Sequence, residues 1–203
     1  MNNDREAILK RVGEAVGGLA DRTPYPSFRN DLGVSTARSL DGDLWEIFCE
    51  RFVAVNGMPV ETPDAMVEYL KTFGYTHGYC DPALRESLAP FFDSGFTLEE
   101  SFDRQDIDRY QFGITRAHAA IAETGSVVVT DRLTSSRLAA LAPWVHIACI
   151  TRDEIIRDTV AAVADLGDDP NVVWITGPSK TADVEGILIE GVHGPGIQIC
   201  LLL

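Results

Sequence analysis

The 203-residue chain gathers its candidate chemistry into three short stretches. The longest reads Thr-Gly-Pro-Ser-Lys-Thr-Ala-Asp-Val-Glu-Gly over residues 176–186, directly behind the apolar run 172–176. Small residues, hydroxyls and a lysine at the carboxyl end of a strand suit an anion site. Backbone N–H groups near Gly177 and Ser179 form a nest, Lys180 brings positive charge, and Asp183 or Glu185 orients the lysine or a hydroxyl. The same residues equally suit a turn held by Ser, Thr and Asp side chains, with Lys180 and Asp183 paired on the surface. The stretch lacks the second glycine of G-x-x-x-x-G-K-[ST], so it is not a nucleoside-triphosphate loop.

The second stretch, Glu-Gly-Val-His-Gly-Pro-Gly at 190–196, has glycines that let backbone approach a ligand or simply close a hairpin. Its His193 is the residue type suited to carry a proton or contact an anion. In the third, Ala-Ala-Ile-Ala-Glu-Thr-Gly-Ser at 119–126, Glu123 is the lone carboxylate in an apolar neighbourhood. Buried, it would have a raised pKa and could act as base or nucleophile; otherwise it caps the local turn. The alanines leave open a strand turning at 123–125 or a short helix ending at Gly125. His77, His118 and His146 lack H-x-x-H or H-E-x-x-H spacing, so no metal site is expected. A G-x-S-x-G elbow and a G-x-G-x-x-G fingerprint are both missing, against an α/β-hydrolase or a standard dinucleotide fold.

These stretches need elements to hold them. Residues 1–95 read as mainly helical. Ile8, Val12, Val16 and Leu19 recur at helical spacing until Asp21, before the loop 23–26; Leu44, Ile47, Phe48, Phe52 and Val55 mark a second helix that stops at Asn56-Gly57. Thr62-Pro63 and Asp81-Pro82 each set a capping oxygen before a proline at the first helical position, where its missing N–H is no loss. From 110 onward the chain is sheet-rich, with strands expected at 126–130, 144–150, 172–176, 187–189 and 197–203. The runs at 127 and 144 are nearly continuous in apolar residues, the pattern of strands covered on both faces. Thr151 and Glu154 form a T-x-x-E box opening a helix with Ile156, Val160 and Val163 on its buried face and Gly167 at its end. Strand, helix, strand in that order predicts a right-handed crossover, and 130–144, anchored by Leu138 and Leu141, is long enough for another. The terminal leucines call for a final strand buried beside another, and the acidic stretch 99–108 for a solvated loop.

Composition limits the partners. With 45% hydrophobic residues, the chain can bury a core, which excludes disorder, and it carries no apolar run long enough to cross a bilayer. Against 17 Lys+Arg stand 31 Asp+Glu, and the formal charge of −14 repels nucleic acid and anionic lipid. The polar start points to the cytoplasm. Cys49, Cys80, Cys149 and Cys200 show no C-x-x-C pairing, so any redox metal would belong to a partner.

Together, the motifs around Glu123, Lys180 and His193 closely resemble the LUD-domain family, specifically its LutC-type lactate utilization proteins. The resemblance spans about 110–203 and implies a single α/β domain over 1–203. Its expected fold is NagB/RpiA/CoA transferase-like: a mostly parallel sheet flanked by helices, with a helical N-terminal portion. It further implies a subunit or accessory of a system oxidising L-lactate to pyruvate, with no cofactor in this chain and iron–sulfur clusters on companion subunits. The motif positions are Glu123, Thr124, Gly125, Gly177, Ser179, Lys180, Thr181, Asp183, Glu185, Gly191, His193 and Gly194. They imply binding of a small carboxylate, a phosphate-bearing ligand or a partner through the glycine-rich loops. Alternatives from fold kinship are a free-standing CoA transferase-like or sugar-phosphate isomerase-like enzyme, with Glu123 as nucleophile or base, and a regulatory ligand-binding module.

Overall fold

A computed structural model describes residues 2–18, 40–182 and 187–203. The chain divides into two compact units, 1–34 and 35–203. In the first, helix α1 (Asn2–Gly17) bears out the helical spacing of Ile8, Val12 and Val16, and an i,i+4 Lys10–Glu14 pair lies on its surface. Leu19 and the loop 23–26 lie outside the described residues. Among the described residues no helix is long and apolar enough to cross a membrane.

The second unit is built on a six-stranded sheet of β1 (Gly57–Val60), β2 (His77–Cys80), β3 (Thr97–Glu99), β4 (Phe112–Arg116), β7 (Val145–Ile150) and β12 (Ile197–Leu202). Its order is β1-β12-β7-β4-β2-β3, and every neighbouring pair is parallel. Parallel strands are covered on both faces, which is why every residue of β7 is buried. One face carries Phe112, Ile114, Val145, Ile147, Ile199 and Leu201 against Met66, Val67 and Leu70 of α3 (Pro63–Thr72) and Leu84 and Leu88 of α4 (Pro82–Leu88). The other carries Ala148, Ile150, Cys200 and Leu202 against Trp45, Phe48 and Phe52 of α2 (Leu44–Ala54). Each fully buried Phe, Ile or Leu there contributes about 1.5–3 kcal/mol.

Ala120 and Val127 on that second face belong to another sheet, of order β8-β5-β6-β9: β5 (Ala119–Ile121), β6 (Ser126–Thr130), β8 (Ile155–Ile156) and β9 (Val172–Ile175). Helix α6 (Thr159–Leu166) packs Ala162 and Leu166 on its far face beside Ile121 and Val128. A short α5 (Leu138–Leu141) lies beside β4 and β7, and a separate hairpin pairs β10 (Lys180–Ala182) with β11 (Leu188–Glu190).

Several sequence expectations hold locally. Thr62 and Asp81 cap α3 and α4, with Oγ1 accepting from Ala65 N at 3.3 Å and Oδ1 from Ala83 N at 3.0 Å. The last strand runs buried between β1 and β7. Helices also dominate the described part of 1–95, where α3 separates two short strands, β1 and β2; four-residue strands such as Gly-Met-Pro-Val lack a readable period, and Pro59 is tolerated because β1 is an edge. Others are corrected. The Thr151–Glu154 box exists, with Thr151 N donating to Glu154 Oε2 at 2.8 Å, but it encloses one 3-10 turn. Ile156 then joins β8, and α6 begins only behind Asp158, leaving Val160 and Val163 exposed. Neither expected crossover exists in one sheet, since β7 lies in the parallel sheet while β6 and β9 pair antiparallel in the other. The half-exposed β9, with Trp174 outward, is an edge strand that element order alone cannot assign to a sheet.

Candidate functional site

The loop after β9 is set by its contact with the end of α2. Gly177 has φ +76°, in the left-handed region, and a Cβ there would run into the carbonyl oxygen of Val55, so only glycine fits. Two backbone bonds then staple the two glycine-rich loops together. Ser179 N–H donates to Pro195 O at 2.9 Å, and Gly191 N–H donates to Ser179 O at 2.9 Å. Gly194 lies against Ser179, and Gly191 and Gly196 leave room for the Trp144 ring. Between these loops, α5 and β9 opens a cleft of about 240 Å³ whose lining includes Leu141, Trp174, Gly177, Ser179, His193 and Gln198. His193 and Gly194 also border a neighbouring cleft of about 440 Å³ walled by Tyr75, Tyr110 and Trp144.

Beneath Gln198 runs a buried polar chain across three adjacent strands. Thr115 on β4, His146 on β7 and Gln198 on β12 are each at most 1% exposed. The Gln198 amide approaches Ile199 O at 3.2 Å through Nε2; a carbonyl only accepts, so Oε1 must be the atom 2.8 Å from His146 Nδ1. His146 therefore carries its proton on Nδ1, and its Nε2 accepts from Thr115 Oγ1 at 2.8 Å. Burial pushes the imidazole pKa down to about 4, so the ring is neutral at physiological pH. None of these three was among the motif residues; the readable signal is a His and a Gln inside otherwise apolar runs.

The third motif folds as a hairpin, β5 turning into β6 through 122–125, which settles the choice the alanines left open. The Glu123 carboxylate is 8% exposed and accepts, at 3.0 Å each, from Thr159 N and Thr159 Oγ1 at the start of α6. Gly125 packs on the α2 backbone at Arg51 and Phe52. Thr124 Oγ1 donates to Ser126 Oγ at 2.8 Å, and Ser126 in turn bonds Thr176 Oγ1 at 2.7 Å, joining this turn to the rim of the smaller cleft.

Lys180 lies elsewhere. Its Nζ donates to Val55 O at 3.2 Å, at the carboxyl end of α2 where positive charge is favourable, and stands 3.6 Å from Glu190 Oε1. Thr181 pairs with Ile189 in the hairpin, and Asp183 and Glu185 lie outside the described residues. Among the described residues, the lining of the smaller cleft includes no Lys, Arg, Asp or Glu.

The clefts also sit at the opposite end of the main sheet from where a parallel sheet usually holds ligands. The loop does leave the carboxyl end of β9, but β9 belongs to the second sheet. Relative to the parallel strands, Gln111, Trp144 and Gln198 mark the amino ends of β4, β7 and β12. At the carboxyl end, buried Asp81 accepts from Ser135 N at 3.0 Å and Ser135 Oγ at 2.9 Å, and Tyr79 bonds the same serine. The remaining histidines pair with acids, His77 with Glu99 and His118 with Asp165, each at 2.8 Å. Among the described residues no three His, Cys, Asp or Glu side chains are grouped to hold a metal.

Fold and site thus define a class: an α/β protein whose mostly parallel sheet, flanked by helices, carries a small cleft under two mutually bonded glycine-rich loops. The chain belongs to the LUD domain family, whose sequence profile matches residues 78–203. Relatives named Lactate utilization protein C include one from Deinococcus radiodurans, 33% identical over 115 residues (53% of this chain, 54% of the relative). One from an Exiguobacterium species is 38% identical over 112 residues (51% and 49%). Another from Bacillus pumilus is 26% identical over 173 residues (73% and 71%). The chain spans about half the length of the first two. A crystal structure of a DUF162 family protein from Deinococcus radiodurans shares the fold, with TM-score 0.57 and 21% identity over 82% of this chain and 99% of that one.

Proposed function

We propose that the chain works in lactate utilization, as a subunit or accessory of a system that oxidises L-lactate to pyruvate, and that it binds a small acid in the cleft between its glycine-rich loops. The observation that carries this reading is the shared name of relatives that are 33% and 38% identical over about half of the chain. The stapling of the two loops around one cleft supports the ligand-binding part.

Iron–sulfur chemistry falls to companion subunits in this reading. Cys80, Cys149 and Cys200 are buried strand residues whose thiols burial pushes well up, the reverse of what a thiolate ligand needs. The alternative of a CoA transferase-like enzyme with a Glu123 nucleophile is disfavoured, because that carboxylate is engaged at the start of α6. Affinity purification of the tagged chain from its own host grown on L-lactate tests the reading. Co-eluting cysteine-rich proteins with visible iron–sulfur absorbance, lost without lactate, are expected; a colourless, partner-free eluate would overturn the subunit assignment.

A further inference from the structure

We propose that the 240 Å³ cleft is a site for a short-chain monocarboxylate, that Gln198 determines this specificity by donating to the carboxylate, and that Thr115 and His146 are positioning residues that aim it. The inference rests on the reading above for the expectation that a small acid is handled. The chemical class follows from the cleft itself.

Its volume lies below the roughly 300–1,000 Å³ of sites for drug-sized ligands, a closer match to a small acid than to a nucleotide or a CoA ester held whole. Leu141 and Trp174 supply an apolar wall for a short carbon chain. The polar side chains of the lining are Thr176, already bonded to Ser126, together with Ser179, His193 and Gln198. Among the described residues no cationic Lys or Arg joins them, and the chain carries −14 overall. A dianionic phosphate ester would lose hydration there with too little compensation, whereas a single carboxylate can be met by neutral N–H and O–H donors.

Gln198 is suited to that donation by what lies behind it. The Ile199 carbonyl takes one Nε2 hydrogen, and His146 Nδ1–H takes up Oε1. The amide cannot flip without setting its oxygen against the Ile199 carbonyl. Its second Nε2 hydrogen has no protein acceptor among the described residues, and Gln198, 1% exposed, is one of the residues that border the cleft. Thr115, outside the cleft lining, donates to His146 Nε2 and so holds in place the ring that Gln198 faces.

Calorimetric titration of the full chain with L-lactate, pyruvate and inorganic phosphate tests this, alongside NMR of the side-chain amides. The expected result is saturable binding of lactate or pyruvate, none of phosphate over the same range, and a shift of the Gln198 amide resonances on binding. Gln198→Met should weaken binding about 10-fold. Thr115→Val should weaken it about 3-fold, and Thr115→Ser should restore it, a rescue that mere packing would not give. Phosphate binding as tight as lactate, no monocarboxylate binding, or an unmoved Gln198 amide in the saturated wild-type chain would each overturn the inference, the last even if Gln198→Met fails to fold. Failure here leaves lactate-dependent co-purification intact, while failure of the subunit assignment removes co-purification and leaves the titration unchanged.

Discussion

His146 gives the fold a calculable acid weakness. The folded chain holds the imidazole pKa at about 4, against about 6.5 in an unfolded chain. Because the folded pKa is depressed, folding favours the neutral ring: its contribution is complete above about pH 6.5 and is lost as the pH falls toward 4. Below that, both states are protonated and no more is lost. The full gap corresponds to about 3 kcal/mol, of which about 2 kcal/mol disappears between pH 7 and pH 5. That part lowers the melting temperature by about 4–8 °C in a chain of this length. Urea denaturation at both pH values, for wild type and His146→Gln, isolates the effect, since exposed carboxylates contribute equally to both proteins. The variant is expected to lose about 2 kcal/mol less than wild type over this interval. Equal losses in the two proteins would refute the neutral, doubly bonded imidazole between Thr115 and Gln198.

Two further substitutions probe the loops by thermal melting followed by circular dichroism. Gly177→Ala combines left-handed strain with a clash against Val55 O, and should cost about 2–4 kcal/mol, or about 4–16 °C; an unchanged melting temperature would contradict the packing of this loop on α2. Glu123→Ala removes the acceptor of Thr159 N and Oγ1 and should cost about 1–2 kcal/mol, whereas Glu123→Gln, which keeps an oxygen there, should recover most of it; equal losses would argue against the capping role.

What the sequence disclosed depended on how local the governing physics was. Caps at Thr62 and Asp81, the stop at Gly167 and the two-sided strands at 126–130 and 145–150 involve neighbours in the chain, and they were legible. The sheet to which β9 belongs depends on partners about 45 residues away in β6, and no period in Val-Val-Trp-Ile encodes that. The motif positions fared likewise. Gly177, Ser179, His193 and Gly194 line one cleft, but Lys180, read as an anion contact by its charge, is held at the end of α2. His146, readable only as a histidine without metal-ligand spacing, and Gln198 are each one polar residue in an apolar run, and what gives them meaning is the pairing of β12 with β7.

Growth on L-lactate as sole carbon source tests the central claim most directly, in a strain lacking this chain and complemented with wild type or Gln198→Met. The account predicts that the strain grows on glucose but not on lactate, that wild type restores growth, and that the variant, at equal protein level, restores it poorly. Undiminished growth on lactate without the chain would contradict it.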